Sequence, residues 1–486
     1  MRGECNTGER RTMERENAWK KYDEADLAQL EKLAAGYIDF ISNNKTEREC
    51  CATAIKMARK AGYISLEEAR ERGAKLRPGD RVFVDNCGKS IMLVQIGELP
   101  LERGFNILGA HIDSPRLDIK QNPLYENGGF ALFDTHYYGG IKKYQWVTLP
   151  LAIHGVVAKT DGSIAQVNVG EDAGDPAFVI TDILPHLGEE QMKRATAKIV
   201  DGEDLDVLCG SWPASDLADG EAADGEAAGT PLKEPVKARL LEILKEKYQI
   251  SEEDFLSAEL EVVPAGPARE CGFDRSMVLG YGQDDRSCAY TSLVAQLEAP
   301  KKLARTAICL LVDKEEIGSV GATGMTSLFF ENMVAEVMDL AGQAGDLPLR
   351  RALANSAMLS SDVSAGFDPL YPSVFEAKNS AYLGRGLVFN KFTGARGKSG
   401  SNDANAEYIA RIRRVMDDAN VSYQTAELGK VDAGGGGTIA YILAKYGMDV
   451  IDSGVSVLSM HAPWEVTSKA DLYEAKKGYL AFLTLV

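Results

Sequence analysis

Four short apolar runs in this chain each stop at a residue able to bind a metal, and this repeated pattern constrains the fold more than any other feature. Phe105 to Ala110 stops at His111. Thr306 to Val312 stops at Asp313-Lys314-Glu315-Glu316. Ala357 to Leu359 leads to Asp362, and Val455 to Met460 leads to His461. Short apolar runs without alternation suit strands covered on both faces, as in a parallel sheet packed between helices. In open α/β sheets of this kind, ligands collect just beyond the carboxyl ends of the strands.

The helices such a sheet needs are also present. Leu27, Leu30, Leu33, Ala34, Tyr37, Ile38 and Ile41 recur at helical spacing. Thr46-Glu47-Arg48-Glu49 is a capping box. It opens a second helix with Cys50, Ala54, Ile55, Met57 and Ala58 on its apolar face. Val82-Phe83-Val84 and Ile91 to Val94 read as a strand pair around Asn86-Cys87-Gly88. Between Leu117 and Ser257 the pattern changes to short β-like runs, such as Val147 to Val157, and turns such as Thr160-Asp161-Gly162. The expected fold class is therefore α/β. A three-layer domain, a mixed sheet flanked by helices, is formed by 17–117 and 258–486 and interrupted by a mostly β insert over 118–257. Within the insert, 211–235 holds two near-copies of Ala-Asp-Gly-Glu-Ala, at 218–222 and 223–227. With no apolar face, this stretch reads as a mobile acidic surface loop. Residues before about Asn17 read as a disordered tail.

Composition narrows the function classes. A net charge of −18 over 486 residues argues against a nucleic-acid binder, which needs a basic surface. The eight cysteines form no C-x-x-C pair, so they read as reduced thiols of a cytoplasmic protein rather than a thiolate zinc site. The first fifteen residues lack the apolar core of a signal peptide, and no apolar run reaches the ~18 residues of a membrane span.

The chain has only five histidines. His111 lies in Gly-Ala-His-Ile-Asp-Ser-Pro, where Asp113 at i+2 shares its face and can accept the free ring N–H. Taken alone, His-x-Asp reads first as a hydrogen-bonded structural histidine. Two adjacent carboxylates, Glu315 and Glu316, directly after a buried strand repel each other, and a divalent cation offsets that repulsion. In an extended segment they point opposite ways, so one can ligate while the other serves a water as general base. A solvated helix start is the plain alternative. In Asp284-Asp285-Arg286, one carboxylate can bridge two ions and the other anchor the site, or the pair caps a helix and salt-bridges Arg286. Asp362 and His461 complete a set of oxygen and imidazole donors suited to zinc, manganese or cobalt. Gly434 to Thr438 opens an apolar helix, Ile439 to Tyr446, and the amides around Gly436 and Thr438 can hold an anion or a substrate carbonyl. It lacks the Lys-Ser/Thr of a phosphate loop.

The strings GAHIDSPRLDIK, YGQDDRSCAY, DKEEIGS, SSDVSAGFDP and SMHAPWE, taken in order, resemble the aspartyl aminopeptidase and vacuolar aminopeptidase I family of dinuclear metallopeptidases, and YYGGIKKYQW and PLAIHG resemble its bacterial branch. The resemblance implies roles. His111 and Asp362 hold one metal, Glu316 and His461 the other, and Asp284 bridges both. Glu315 is the general base and Asp113 orients His111. His154 corresponds to a histidine that reaches the active site of a neighbouring subunit. The insert corresponds to a dimerisation domain of a dodecamer built from dimers. The eukaryotic members carry histidines three and six positions after the metal-binding Asp, where this chain has Ala365 and Asp368. An acidic-residue preference would need a nearby cation. Lys391 stands nearest to the family's position, with Lys378, Arg385 and Arg396 as alternatives.

The expected function is thus removal of N-terminal residues from short peptides by a water activated between two divalent ions per subunit, zinc before manganese or cobalt, with Asp or Glu as an N-terminal preference to be tested. The alternatives are a dinuclear N-acyl amino acid deacylase and a non-catalytic assembly or cargo protein with a structural metal site.

Overall fold

The computed structural model describes residues 15–215 and 232–486. The acidic repeats at 218–227 and most of the N-terminal tail lie outside the described residues.

A nine-stranded mixed sheet carries the fold. Its strands lie side by side in the order Ile64–Ser65, Arg81–Asn86, Ser90–Gln95, Thr306–Val312, Phe105–His111, Ala357–Ser361, Asp449–Gly454, Leu387–Asn390 and Tyr423–Ala426. The four central strands, from Thr306–Val312 to Asp449–Gly454, are mutually parallel, so their carboxyl ends share one edge. Phe105–His111 has the later strands Thr306–Val312 and Ala357–Ser361 on its two sides. The order reverses there, which opens a crevice at that edge.

The apolar runs are continuous because both faces are covered. Along Thr306–Val312, Ala307, Cys309 and Leu311 face one core while Ile308, Leu310 and Val312 face the other. The first core takes the helices Glu24–Asn43, Glu47–Lys60, Gln283–Glu298, Ala406–Asp418 and Lys469–Leu483. The second takes Phe329–Leu340, Asp346–Ala354 and Ala440–Ala444. Each fully buried Leu or Ile side chain here contributes about 1.5–3 kcal/mol from burial. The capping box at Thr46 and Glu49 is formed in both directions, and the first helix buries Leu30, Leu33, Ala34, Tyr37 and Ile41. Leu27, expected on that face, remains 39% exposed near the helix start.

A six-stranded antiparallel sheet forms the insert, in the order Ile164–Val169, Leu151–Ala158, Ala258–Pro264, Arg116–Asn127, Phe130–Tyr138 and Val207–Gly210. The sheet reaches a few residues beyond 118–257 at both ends. The sheet begins at Arg116, and Ala258–Pro264 pairs with Leu151–Ala158 over seven residues, so that strand belongs to the insert sheet. A third sheet of five strands includes Ser456–Leu458 and Glu465–Ser468. This corrects one expectation: the central strand ends at Gly454, and Ser456–Leu458 leaves for the third sheet before the chain reaches His461.

Candidate metal centre

The carboxyl edge of the central sheet gathers all five expected metal ligands and Glu315. His111 closes its strand. Asp362 follows Ala357–Ser361 directly, its amide bonded to the Ser453 carbonyl of the next strand. Asp284 stands at the start of Gln283–Glu298, where the helix dipole favours a carboxylate. Arg286 does not pair with it, donating instead to the Ile112 and Lys45 carbonyls, so the capping and salt-bridge alternative fails.

Glu315 and Glu316 lie in a single 3-10 turn, Glu315–Ile317, entered through Lys314 at φ +69. The expectation of an extended pair facing opposite ways is therefore corrected. The tighter turn rotates successive side chains by about 120°, and both line the same cavity.

Asp284 is the geometric centre. Its Oδ1 is 3.2 Å from His111 Nε2 and its Oδ2 is 3.2 Å from His461 Nε2. Glu315 and Asp362 each bring an oxygen to 4.0 Å from His111 Nε2, and Glu316 Oε2 is 3.5 Å from His461 Nε2. Each histidine has its other nitrogen occupied. His111 Nδ1 is 3.0 Å from the Asp113 carbonyl and 3.3 Å from its Oδ1, and His461 Nδ1 is 2.9 Å from the Gly140 carbonyl. That arrangement leaves both Nε2 atoms free to ligate. Asp113 also accepts the amides of Glu315 and Glu316, each at 3.2 Å, so it orients the turn as well as the ring.

These residues fit a metal. Asp284 Oδ1 and Glu316 Oε1 are buried without a hydrogen-bond partner, a cost that coordination removes. The groups His111, Glu315, Asp362 and His111, Asp284, Glu316 each bring ligand atoms within 4.8 Å of one another. Burial and crowding distort every ionisation. Burial pushes the Glu315 carboxyl up to about 7, and Glu316 and Asp362 rise well above the usual carboxylate range. Burial would depress His461, but Asp284 and Glu316 outweigh it and raise the ring to about 10. Burial opposes ionisation of Asp284 too, yet its two histidine partners hold it below the ordinary range. Such displaced acids and bases in one cleft mark a reactive site.

The other expected site residues fare differently. Gly436 and Thr438 line the cavity, of about 500 Å³. The Gly436 amide is committed to the Thr393 carbonyl and the helix beyond is only Ala440–Ala444, so that amide is not a free oxyanion donor as expected. The Thr438 hydroxyl donates to Asp452, 2.6 Å away. Lys391 does not enter the cavity. It pairs with Asp403, which Lys398 also meets, and no Lys or Arg is among the described lining residues. His154 is absent from the cavity lining as well. It is 1% exposed, with Nδ1 2.8 Å from Glu49 and Nε2 3.1 Å from Glu171. Within the single chain the ring is thus buried against its own Glu49 and Glu171.

Sequence reasoning missed several groups. Glu465 accepts the amides of Gln283, Asp284 and His461, fixing the backbone of two expected ligands with one buried carboxylate. Tyr138 donates to Asp113, and the Gly139-Gly140 turn abuts Glu316 and His461. Asp452 lies behind Thr438. Only the lone acid in the apolar run Val450-Ile451-Asp452 offered a local signal.

Comparison with known proteins places the chain in a family. The family model described as aminopeptidase I zinc metalloprotease (M18) matches residues 40–483. A probable M18 family aminopeptidase 1 of Clostridium acetobutylicum is 61% identical over 470 residues, covering 97% of this chain and 98% of its own. The crystal structure of an M18-family aminopeptidase from Thermotoga maritima matches with a TM-score of 0.89 at 42% identity, covering 98% of this chain and 100% of that one. The mApe1 dodecamer of S. cerevisiae shares the fold at a TM-score of 0.72 and 19% identity, over 92% of this chain and 95% of that one. The chain belongs to the aminopeptidase I family of zinc metalloproteases, M18.

Proposed function

We propose that this aminopeptidase holds two divalent ions, zinc before manganese or cobalt, one on His111 and Asp362 and one on Glu316 and His461, with Asp284 shared between them. The observation that carries the reading is the placement of the two histidine Nε2 atoms at 3.2 Å from opposite oxygens of Asp284. Ions bound there supply Lewis-acid polarisation of the scissile carbonyl and a lowered pKa for the attacking water.

Glu315 is the general base. It takes the proton of the water as the new C–O bond forms, then delivers it to the departing nitrogen as the C–N bond breaks. Asp113 keeps Glu315 in place through its amide.

The substrate is a short peptide with a free amino terminus. Beside the acidic centre the cavity offers Val363, Leu428, Tyr441 and Met460, and no described cation. An acidic side chain would therefore be buried unpaired against existing carboxylates, so we assign a neutral, apolar N-terminal residue rather than Asp or Glu. The assembly proposed is a homo-oligomer, a dodecamer built from dimers through the β-rich insert. The dodecameric yeast protein of the same fold supports it, as do Ile183, Leu184, Leu187 and Met192 exposed on the insert. The unpaired cysteines among the described residues support a cytoplasmic site of action.

A panel of aminoacyl reporters, run with zinc, manganese and cobalt, tests the reading. Leu and Met substrates are expected to turn over more than about tenfold faster than Asp and Glu, since one unpaired buried charge exceeds ~1.4 kcal/mol. Faster turnover of acidic substrates refutes the neutral pocket, and cleavage of an N-acetylated peptide refutes the exopeptidase reading.

A further inference from the structure

The β-rich insert ends one of its strands, Phe130–Tyr138, directly against the ligand cluster. The Tyr138 hydroxyl donates to Asp113 Oδ2 at 2.8 Å. That carboxylate lies 3.3 Å from His111 Nδ1 through its other oxygen and also takes the Glu315 and Glu316 amides. Two residues further on, the Gly140 carbonyl accepts from His461 Nδ1 at 2.9 Å. Gly139 stands at φ +76, and a Cβ there would lie 3.3 Å from Glu316 Oε2 and 3.4 Å from Pro115 Cα. Three consecutive residues of the insert thus meet both halves of the centre.

The placement of Tyr138 is itself fixed at the seam between the two sheets. The Arg116 guanidinium packs over the Tyr138 ring at 3.8 Å. It is held by Glu261, 3.1 Å away on the insert strand Ala258–Pro264, and by Glu47, 3.6 Å away on the helix Glu47–Lys60 of the three-layer domain. Arg116 thus ties the Tyr138 ring to the insert and to the three-layer domain at once.

We propose that the insert completes the metal centre, with Tyr138 positioning the His111 half through Asp113 and the Gly139-Gly140 turn positioning the Glu316–His461 half. Neither group touches the reacting atoms; both act by holding ligands in orientation. Partners of this kind typically govern metal affinity by about 10–100-fold when removed. The proposal rests on the two-ion reading above.

The test uses the full-length protein, stripped of metal and titrated with cobalt(II), whose visible absorption follows occupancy as a chelator competes. The wild-type protein is expected to show two steps, with His111→Ala and His461→Ala each deleting one and so assigning it. A single step in the wild type, or survival of both steps in both alanine variants, refutes the two-ion reading before the insert is considered. With the steps assigned, Tyr138→Phe is expected to weaken the His111 step by about 10–100-fold and Gly139→Ala the His461 step, each retaining two ions at saturation. Wild-type affinities in both variants overturn the proposal. So does an equal loss at both steps in either variant, which marks a general lesion rather than a directed one. Thermal melting identifies a variant that fails to fold, and the other variant then decides.

Discussion

Replacing Glu315 with Gln separates two effects that the centre joins. The amide keeps the shape of the side chain and removes its charge and its basicity. A positioned general base contributes about 10²–10⁴-fold, so kcat is expected to fall by that factor, roughly 3–5 kcal/mol of barrier. Stability moves the other way. Burial raises the Glu315 carboxyl to about 7, against about 4.3 in an unfolded chain. The folded metal-free protein therefore binds this proton more tightly than the unfolded chain does. As pH rises from about 4.3 the unfolded state releases its proton first and stability falls, and above pH ~7 the loss is complete. At ~1.4 kcal/mol per pH unit the full loss is at most ~4 kcal/mol, and its sharing among crowded carboxylates leaves about 1–3 kcal/mol for this residue. An unfolding entropy of ~2 cal/mol/K per residue over a chain of this length converts that to about 1–3 °C. Metal-free Glu315→Gln is expected to melt above the metal-free wild type by that amount at pH 8, with the gap closing towards pH 4.5. The metal-loaded variant is expected to keep its ions and lose at least ~100-fold in kcat. Calorimetry across pH, metal analysis and steady-state kinetics read the three quantities. Unchanged kcat refutes the role as base, and a lower melting point at pH 8 refutes the account of a strained carboxylate.

The other predictions concern the supports. His154 is held above its ordinary pKa because Glu171 and Glu49 outweigh the effect of burial; the other groups nearby are Lys45, 3.7 Å from Glu171, and Asn168, 3.5 Å from Glu49. The stability it adds is fully present below pH ~6.5 and lost as pH rises through its raised pKa, so His154→Gln is expected to cost ~3 kcal/mol at pH 6 and less at pH 9, read by denaturant melts at both pH values. Thr438→Val strips Asp452 of a hydroxyl donor and is expected to cost about 1–3 kcal/mol in stability, with kcat/KM reduced in the same enzyme preparation; an unchanged melting point refutes the contact. Glu465→Gln places an amide N–H against backbone amides that now point at oxygen, so a loss of about 1–3 kcal/mol and weaker metal retention on dialysis are expected, and wild-type retention would show that Glu465 does not hold Asp284 and His461.

Much of the sheet, and the convergence of several candidate ligands at its carboxyl edge, was legible because strand burial and strand ends leave a local trace. His111, Asp362 and the Glu315-Glu316 pair follow apolar runs that cannot go elsewhere than into a covered sheet. What stayed hidden depends on contacts between segments far apart in the chain. Glu465 finds its amide partners on Gln283 and Asp284 about 180 residues upstream, and the string SMHAPWE that ends on it does not reveal those partners. Tyr138 reads as one more alternating strand residue until the seam brings it to Asp113. His154 has contacts of the same hidden kind. Its string resembled a family motif, but Glu49 and Glu171 close around the ring in a way that no single segment reveals. The turn at Glu315–Ile317 was misjudged as extended because only the left-handed Lys314 before it forces the tighter path.

The proposed ligands span from His111 to His461, and the β-rich insert sheet is formed by segments between His111 and Asp284. A chain emerging residue by residue can form its early helices and the insert sheet while holding only fragments of the acidic cluster. His461 comes from a segment far downstream of His111, and the sheet must be in register for the two rings to meet at Asp284. Under the proposed ligand set, the acidic cluster is a property of the assembled fold and of no single segment.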